Sequence, residues 1–320
     1  MAGLAQGPMG YLRTFGPHAD PVTALTWGLM IISIAVVAIV TALVALGVFA
    51  RRAQPGLDMP GVREGASGLG WIYVGLTLTC ITLAGSLVWT LDVLAAVDSP
   101  REKPAFTLQV AGHQWWWEVR YVGAAPGDAF STANEIHIPV GQPVLVELTG
   151  ADVIHSFWIP ALAGKTDTIP GRTNLTWLQA DRPGVYRGQC TEYCGAQHAH
   201  MAAFVVADTP AAFEAWRRGQ LAPAPTPASP LTMAGARVFQ AHCSACHAVR
   251  GTQADGIVGP DLTHLMSRQT IAAGALPNDG ASLAGWVANP QALKPEAKMP
   301  ANNLTGPQLN AVVAYLETLR

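Results

Sequence analysis

Hydrophobic positions along this chain fall into three regimes. Near the N-terminus two stretches are apolar on every side: about Pro21 to Ala50, with no charge after Asp20, and about Leu69 to Leu91, also uncharged. A membrane-crossing helix needs about 20 apolar residues. Globular helices seldom stay apolar all round at this length, so both stretches predict spanning helices. The first is too long for the apolar core of a secretory signal, and only Arg13 precedes it as a basic residue. The loop between them carries Arg51, Arg52 and Arg63, with Asp58 and Glu64. The positive-inside rule puts that loop in the cytoplasm, so everything after about Val97 faces outward.

From Phe106 to about Ala207 the pattern shortens. β-rich runs at Phe106–Val110, Glu135–Ile138, Val144–Leu148 and Leu175–Leu178 alternate with turn signals at Pro126-Gly127, Pro139-Val140-Gly141, Pro170-Gly171 and Pro183-Gly184. That spacing predicts an all-β sandwich or barrel. Residues 221–230, LAPAPTPASP, read as a semi-rigid Pro/Ala linker. The tail is helical in pattern, with helices expected at about Met233–His242, Ser282–Asn289 and Thr305–Leu319, the last behind a Thr305 cap. The expected division is an anchor in 1–100, a β domain in 101–220, the linker in 221–230 and an all-α domain in 231–320.

Composition sharpens this picture. Half of the 320 residues are hydrophobic and 12% are charged, which fits membrane content. A net charge of −2 offers no basic surface for nucleic acid. Five cysteines are too few for a disulfide scaffold. Cys80 lies alone in an apolar stretch and reads as a small apolar residue. The other four form two tight pairs, Cys190 with Cys194 and Cys243 with Cys246, each followed closely by a histidine, a pattern of metal or haem chemistry.

The densest chemistry is GQCTEYCGAQHAHM, residues 188–201. Cys190, Cys194 and His198 recur at one interval, Met201 follows, and His155 in HSFWIP is a further imidazole upstream. Thiolate, thioether and imidazole together favour copper over magnesium or calcium. A mononuclear blue-copper site needs one cysteine, so two leave ligands for a second copper bridged by sulfur. Zinc could take two cysteines and two histidines but would leave Met201 idle. A Cys190–Cys194 disulfide is the other alternative.

Residues 155–201 resemble cytochrome c oxidase subunit II almost throughout, in HSFWIP, KTDTIPGRTN and PGVYRGQCTEYCGAQHAHM, and the two-helix anchor extends the resemblance to about residues 20–207. The resemblance implies a dinuclear copper site, CuA, held by His155, Cys190, the Glu192 carbonyl, Cys194, His198 and Met201. It implies a cupredoxin-like Greek-key sandwich, and a magnesium ion shared with subunit I through the Glu192 side chain. In the family GHQW carries the tryptophan through which electrons enter, and Trp115 matches it. Trp117 reads as core, and His113 and His200 as structural or exposed. The family's second helix usually opens with a glutamate serving proton entry, whereas SGLGWIYVG offers no acid.

Residues 243–247, CSACH, carry the attachment pattern of a c-type haem: thioethers from Cys243 and Cys246, with His247 as iron ligand. A redox dithiol is the competing reading, but it prefers a βαβ context. Met299 in KMPANNL is the expected distal ligand and Met266 its rival. GPDLTHL and WVANPQALKPEAKMP resemble the class I cytochrome c domain fused to subunit II in caa-type bacterial oxidases, where the MP methionine is the ligand. Pro260 is expected beside His247, and Trp286 in the core.

The combined expectation is a multi-domain membrane protein, subunit II of a terminal haem–copper oxidase in a bacterial plasma membrane, partnered by subunit I and subunit III and by membrane lipid. Electrons would pass from an external donor (cytochrome c or a quinol-oxidising complex) through haem c and CuA to haem a in subunit I. Dioxygen is reduced there, with proton translocation. A stand-alone electron carrier is the rival. Nitrous-oxide reductase would need a histidine-rich cluster that nine scattered histidines do not supply, and the copper ligands exclude a quinol-oxidase subunit.

Overall fold

The computed structural model describes residues 9–49, 69–123 and 125–320. The charged residues of the expected cytoplasmic loop, Arg51, Arg52, Asp58, Arg63 and Glu64, lie outside the described residues. Two compact units are present, residues 21–98 and the remainder.

The first unit is a pair of helices, α1 (Asp20–Phe49) and α2 (Leu69–Asp98). Most of their side chains are exposed, Leu46 and Leu83 among them. An apolar helix surface with no protein over it is what lipid covers. Gly28 of α1 leaves the room that the Trp89 ring of α2 fills. α2 runs past the expected end at Leu91 to Asp98, because LDVLAAVD remains a good helix former. Its first turn contains no acid.

The second unit begins with a β-sandwich. One sheet has the order β3 (Phe130–Ala133), β2 (Trp116–Tyr121), β1 (Thr107–His113), β5 (Val144–Gly150), β8 (Asn174–Leu178). The other has the order β4 (Glu135–Pro139), β10 (Ala202–Asp208), β9 (Gly184–Cys190), β6 (His155–Trp158), β7 (Thr166–Thr168). β1 pairs parallel with β5 and β4 with β10, and the remaining neighbours are antiparallel. This is a cupredoxin-like Greek key. Alternate positions of β1, β5 and β9 are buried, and the shared core includes Leu108, Trp117, Val146, Leu148, Phe157 and Leu178. Gly141 and Gly171 take φ of +77° and +76° in the turns signalled by Pro139 and Pro170, a backbone that favours glycine.

Two elements carried no expectation. Residues before α1 lie along the sandwich: the Phe15 N–H donates to Ala161 O, the Asp181 N–H donates to Phe15 O, and the His18 ring bonds Trp177 O at 2.7 Å. Helix α3 (Pro210–Leu221) follows β10, with Thr209 accepting from the Ala212 N–H and Pro210 in its first turn. Only residues 222–229 are then extended, and they are held down, with Ala224 N–H on Arg250 O and Ala222 O on the His264 ring.

The helical domain matches its pattern. α4 (Pro230–His242) is capped by Ser229, α5 (Gly280–Ala288) by Asp279 and the short α6 (Pro290–Leu293) by Asn289. In front of α7 (Gly306–Leu316), the Gln308 side chain reaches back to the Thr305 N–H. α4 crosses α7 closely because Gly235 leaves space for the Ala311 backbone, and Phe239 meets Tyr315 with ring centroids 5.6 Å apart. A hairpin, β11 (Thr270–Ile271) with β12 (Leu276–Pro277), projects from this domain.

Candidate metal and haem centres

Three segments converge at one end of the sandwich. The end of β9 delivers Cys190, the following loop delivers Cys194, His198 and Met201, and the start of β6 delivers His155. The two thiols are free, their Sγ atoms 3.8 Å apart. Each imidazole stands against a different sulfur: His155 Nδ1 is 3.9 Å from Cys190 Sγ, and His198 Nδ1 is 3.5 Å from Cys194 Sγ. Met201 Sδ lies 3.9 Å from Cys194 Sγ, and the Glu192 carbonyl 3.3 Å from Cys190 Sγ. Cys190, Cys194, Met201 and His155 are all buried, while the Glu192 side chain is exposed. Every expected copper residue is therefore in one place.

The electrostatics suit a cation. The S–H of Cys194 donated toward Cys190, opposed by burial and helped by His155, draws the Cys190 thiol down to about 4. The same shared proton and burial push the Cys194 thiol up. Two thiols this close ionise together only beside a positive charge, which a bound metal supplies.

Around this cluster sits a supporting layer that the sequence did not announce. The Asp152 carboxylate bonds His155 Nε2 at 2.9 Å and so turns Nδ1 toward the sulfurs. Against burial, Lys298, His155 and two backbone N–H groups hold the Asp152 carboxyl well below the usual range. Gly112 passes beneath the ring, where a Cβ would come within 2.7 Å of His155 Cδ2. Trp117, the cross-strand partner of Gly112, is wholly buried, its ring edge-on to His155 with centroids 5.9 Å apart. Trp115 is 6% exposed, and its Nε1–H donates to the Cys194 carbonyl at 3.0 Å. His113 stacks on Trp116, and His200 bonds Gln197.

In the helical domain CSACH forms the turn after α4, with the Cys246 and His247 N–H groups both on Cys243 O. The His247 Nδ1–H donates to Pro260 O at 2.8 Å, which leaves Nε2 for a metal. Gly259 lies against the ring, where a Cβ would come within 2.6 Å of Cε1. Burial pushes the Cys243 thiol up to about 11. A redox-active thiol needs the opposite shift, which Cys243 does not have. Arg268 is buried, its Nε–H is without a partner among the described residues, and its charge helps lower the His247 pKa, after burial. A buried cation with an open donor near that ring fits a group bearing carboxylates, as haem does. Met299 is half-buried in the loop before α7, its carbonyl accepting from Gln291 at 2.9 Å. Met266 and Trp286 pack against the domain core, and the Met266 N–H donates to Leu319 O.

Comparison with known proteins agrees with both halves. Residues 124–208 match the family model of the cytochrome c oxidase subunit II periplasmic domain, and residues 232–320 match that of cytochrome c. Cytochrome c oxidase subunit 2 of Alkalihalophilus pseudofirmus is 37% identical over 306 residues, covering 91% of this chain and 86% of the relative. The same subunit of Bacillus sp. strain PS3 is 32% identical, covering 85% and 80%. The solved periplasmic domain of subunit II of the Bradyrhizobium japonicum cytochrome oxidase is 34% identical over 37% of this chain and 95% of that one, with a TM-score of 0.35. The two family models imply copper in the sandwich and haem c in the helical domain. This chain belongs to the cytochrome c oxidase subunit II family, carries a cytochrome c domain of its own, and is thus part of an oxidoreductase, the haem–copper oxidase.

Proposed function

We propose that the chain passes electrons from an external donor through its own haem c to a dinuclear CuA centre, and on to haem a of subunit I, where dioxygen is reduced with proton translocation. His155, Cys190, the Glu192 carbonyl, Cys194, His198 and Met201 would hold the copper. Cys243, Cys246, His247 and Met299 would hold the haem. Two adjacent thiols, each beside its own imidazole, support the two-copper reading, since a mononuclear blue-copper site uses one cysteine. When bound, both groups supply one-electron acceptance and donation, while the protein sets geometry and potential.

The chain's own residues do the positioning. Asp152 orients His155, Pro260 orients His247, and burial keeps water from the sulfurs. Trp115, hydrogen-bonded to the Cys194 backbone, is the electron-entry residue. Met299 is favoured over Met266 as the haem ligand because Met266 is committed to the core. The exposed Glu192 carboxylate is free to share a magnesium ion, a hard cation that takes oxygen ligands, with subunit I.

Residues 1–100 would form the anchor, 101–220 the copper domain, 221–230 the link and 231–320 the cytochrome. Subunit III and a cytochrome c or quinol-oxidising donor are the further partners, in a bacterial plasma membrane with both domains outside. The hydrogen bonds of Phe15 and His18 to the sandwich support that topology: residues before the first span touch residues after the second, so both lie on one side.

The test is copper per chain, with visible and near-infrared spectra of the purified full chain. Two coppers and a mixed-valence spectrum are expected, and Cys190→Ser or Cys194→Ser should each abolish that spectrum. One copper, or zinc alone, would overturn the dinuclear reading.

A further inference from the structure

The cytochrome domain touches the loop that ends in Met201, the turn ahead of His155 and the backbone at Trp115. Lys294, at the end of α6, is 3% exposed and sends its ammonium between the domains. It donates to Trp115 O at 2.7 Å, to His200 O at 2.8 Å and, within its own domain, to Ala272 O at 3.1 Å. Three acceptors for three N–H bonds compensate a buried charge that would otherwise be costly. Beside it the β11–β12 turn presses onto β10. Ala273 O accepts the Ala202 N–H at 3.0 Å, one residue after Met201. That turn holds Ala272 and Ala273 at φ of 54° and 60°, a conformation uncommon for alanine. Gly274 sits where a Cβ would come within 2.8 Å of Ala202 Cβ. The third contact is Lys298, next to Met299: its Nζ meets Asp152 Oδ2 at 2.8 Å, and Asp152 Oδ1 holds His155. Asp152 Oδ2 also accepts the Gln114 N–H, beside Trp115.

We propose that Lys294, Lys298 and the Ala272–Ala273 turn form a fixed clasp, which makes the cytochrome domain a permanent wall of the copper site and not a shuttling tether. Lys298 and Asp152 are positioning residues, linking the Met299 loop to His155 by two hydrogen-bonded contacts. Lys294 fixes the backbone at Trp115 and at the loop ending in Met201. The residues that would hold the haem and those that would hold the copper would then keep one fixed separation, with no docking step between them.

The experiment uses the full chain in detergent, with Lys294→Met, Lys298→Ala and the double variant. Amide exchange is read on peptides covering 200–204 and 271–276, whatever metal the chain carries. Haem-to-copper transfer after photoreduction is read at low and high salt. The transfer arm rests on the copper and haem reading above and the exchange arm does not, so their failures are distinguishable. In the parent chain the Ala202 amide should be protected, and transfer should be first-order with a rate changing less than twofold with salt, because the Lys294 contacts are buried. Lys294→Met should speed Ala202 exchange at least tenfold and slow transfer at least tenfold. Lys298→Ala lies on the exposed side and spares the fold. It should shift the copper spectrum, through the freed Asp152, with full copper retained. Rapid Ala202 exchange in the parent chain, or transfer and spectra unchanged in both single variants, would overturn the clasp. A Lys294→Met chain that fails to fold leaves the parent-chain exchange and Lys298→Ala to decide.

Discussion

Gly112→Ala measures how tightly the copper cluster is buttressed. A methyl group there would sit 2.7 Å from His155 Cδ2, 3.0 Å from Cγ and 3.0 Å from Thr168 Oγ1. Carbon atoms rest at about 3.5 Å or more, so the ring must retreat by roughly 0.8 Å. The room for that is small: His155 is wholly buried, its ring is edge-on to Trp117 and Asp152 fixes Nε2 at 2.9 Å. Overpacking of this kind costs about 1–3 kcal/mol. Metal ligands tolerate displacements of about 0.2 Å, roughly a quarter of the shift required. Copper affinity should therefore fall about 10- to 100-fold, as when a ligand loses its orienting partner, which corresponds to about 1.4–2.8 kcal/mol. The assay is competition for copper against a chelator of known affinity, together with the near-infrared spectrum. Gly127→Ala is the control, since a Cβ there meets nothing within 4 Å. Unchanged affinity and spectrum in Gly112→Ala would refute the idea that this glycine reserves the space His155 needs.

Two further outcomes follow from other parts of the molecule. Met299→Ala should lose the weak far-red band of methionine bound to ferric haem and lower the haem potential, whereas Met266→Ala should keep the band and lose stability; survival of the band in Met299→Ala would reverse the assignment. His137 lies between Asp208 at 2.6 Å and Glu135 at 3.2 Å under the Trp216 ring. Burial alone would lower its pKa, but the two carboxylates outweigh it and raise it. A raised folded pKa gives stability that is complete below the unfolded value of about 6.5 and is lost as pH rises through the folded value. His137→Gln should thus destabilise more at pH 6 than at pH 9 in fluorescence-detected melts, and an equal loss at both would exclude a charged His137.

Much of this was legible because the chemistry is local in sequence. Cys190, Cys194, His198 and Met201 share one loop, and CSACH is a single turn, so spacing alone gathers their donors. The two apolar helices and the four expected strands also lie where periodicity put them. His155, by contrast, was a candidate that spacing alone could not place, since its contact with Cys190 spans 35 positions; the family resemblance assigned it. Its partners Asp152 and Gly112 left no signal, because alternation tells which face of a strand is buried and not what it is buried against. The clasp was invisible for a different reason: Lys294 binds carbonyl oxygens, and a backbone acceptor has no residue type to recognise. Only α3 was within reach, announced by Thr209 and Pro210 as cap and first turn.

The segment from Phe15 to His18 has a consequence for how the protein is made. Its partners at Ala161, Trp177 and Asp181 come roughly 150 residues later in synthesis, and at about 5–20 residues per second that is a wait of about 8–30 s. Throughout that interval the Phe15 ring has no counterpart, because the Arg182 guanidinium and the Tyr186 ring that it meets at 4.9 and 5.8 Å from its centroid are yet to be made. The segment ahead of the first apolar helix can thus be seated only after Asp181 has been made. A chain whose segment at residues 15–18 were held on the other side of the membrane would leave the surface at Leu162 and Gln179, against which Gly16 rests, uncovered.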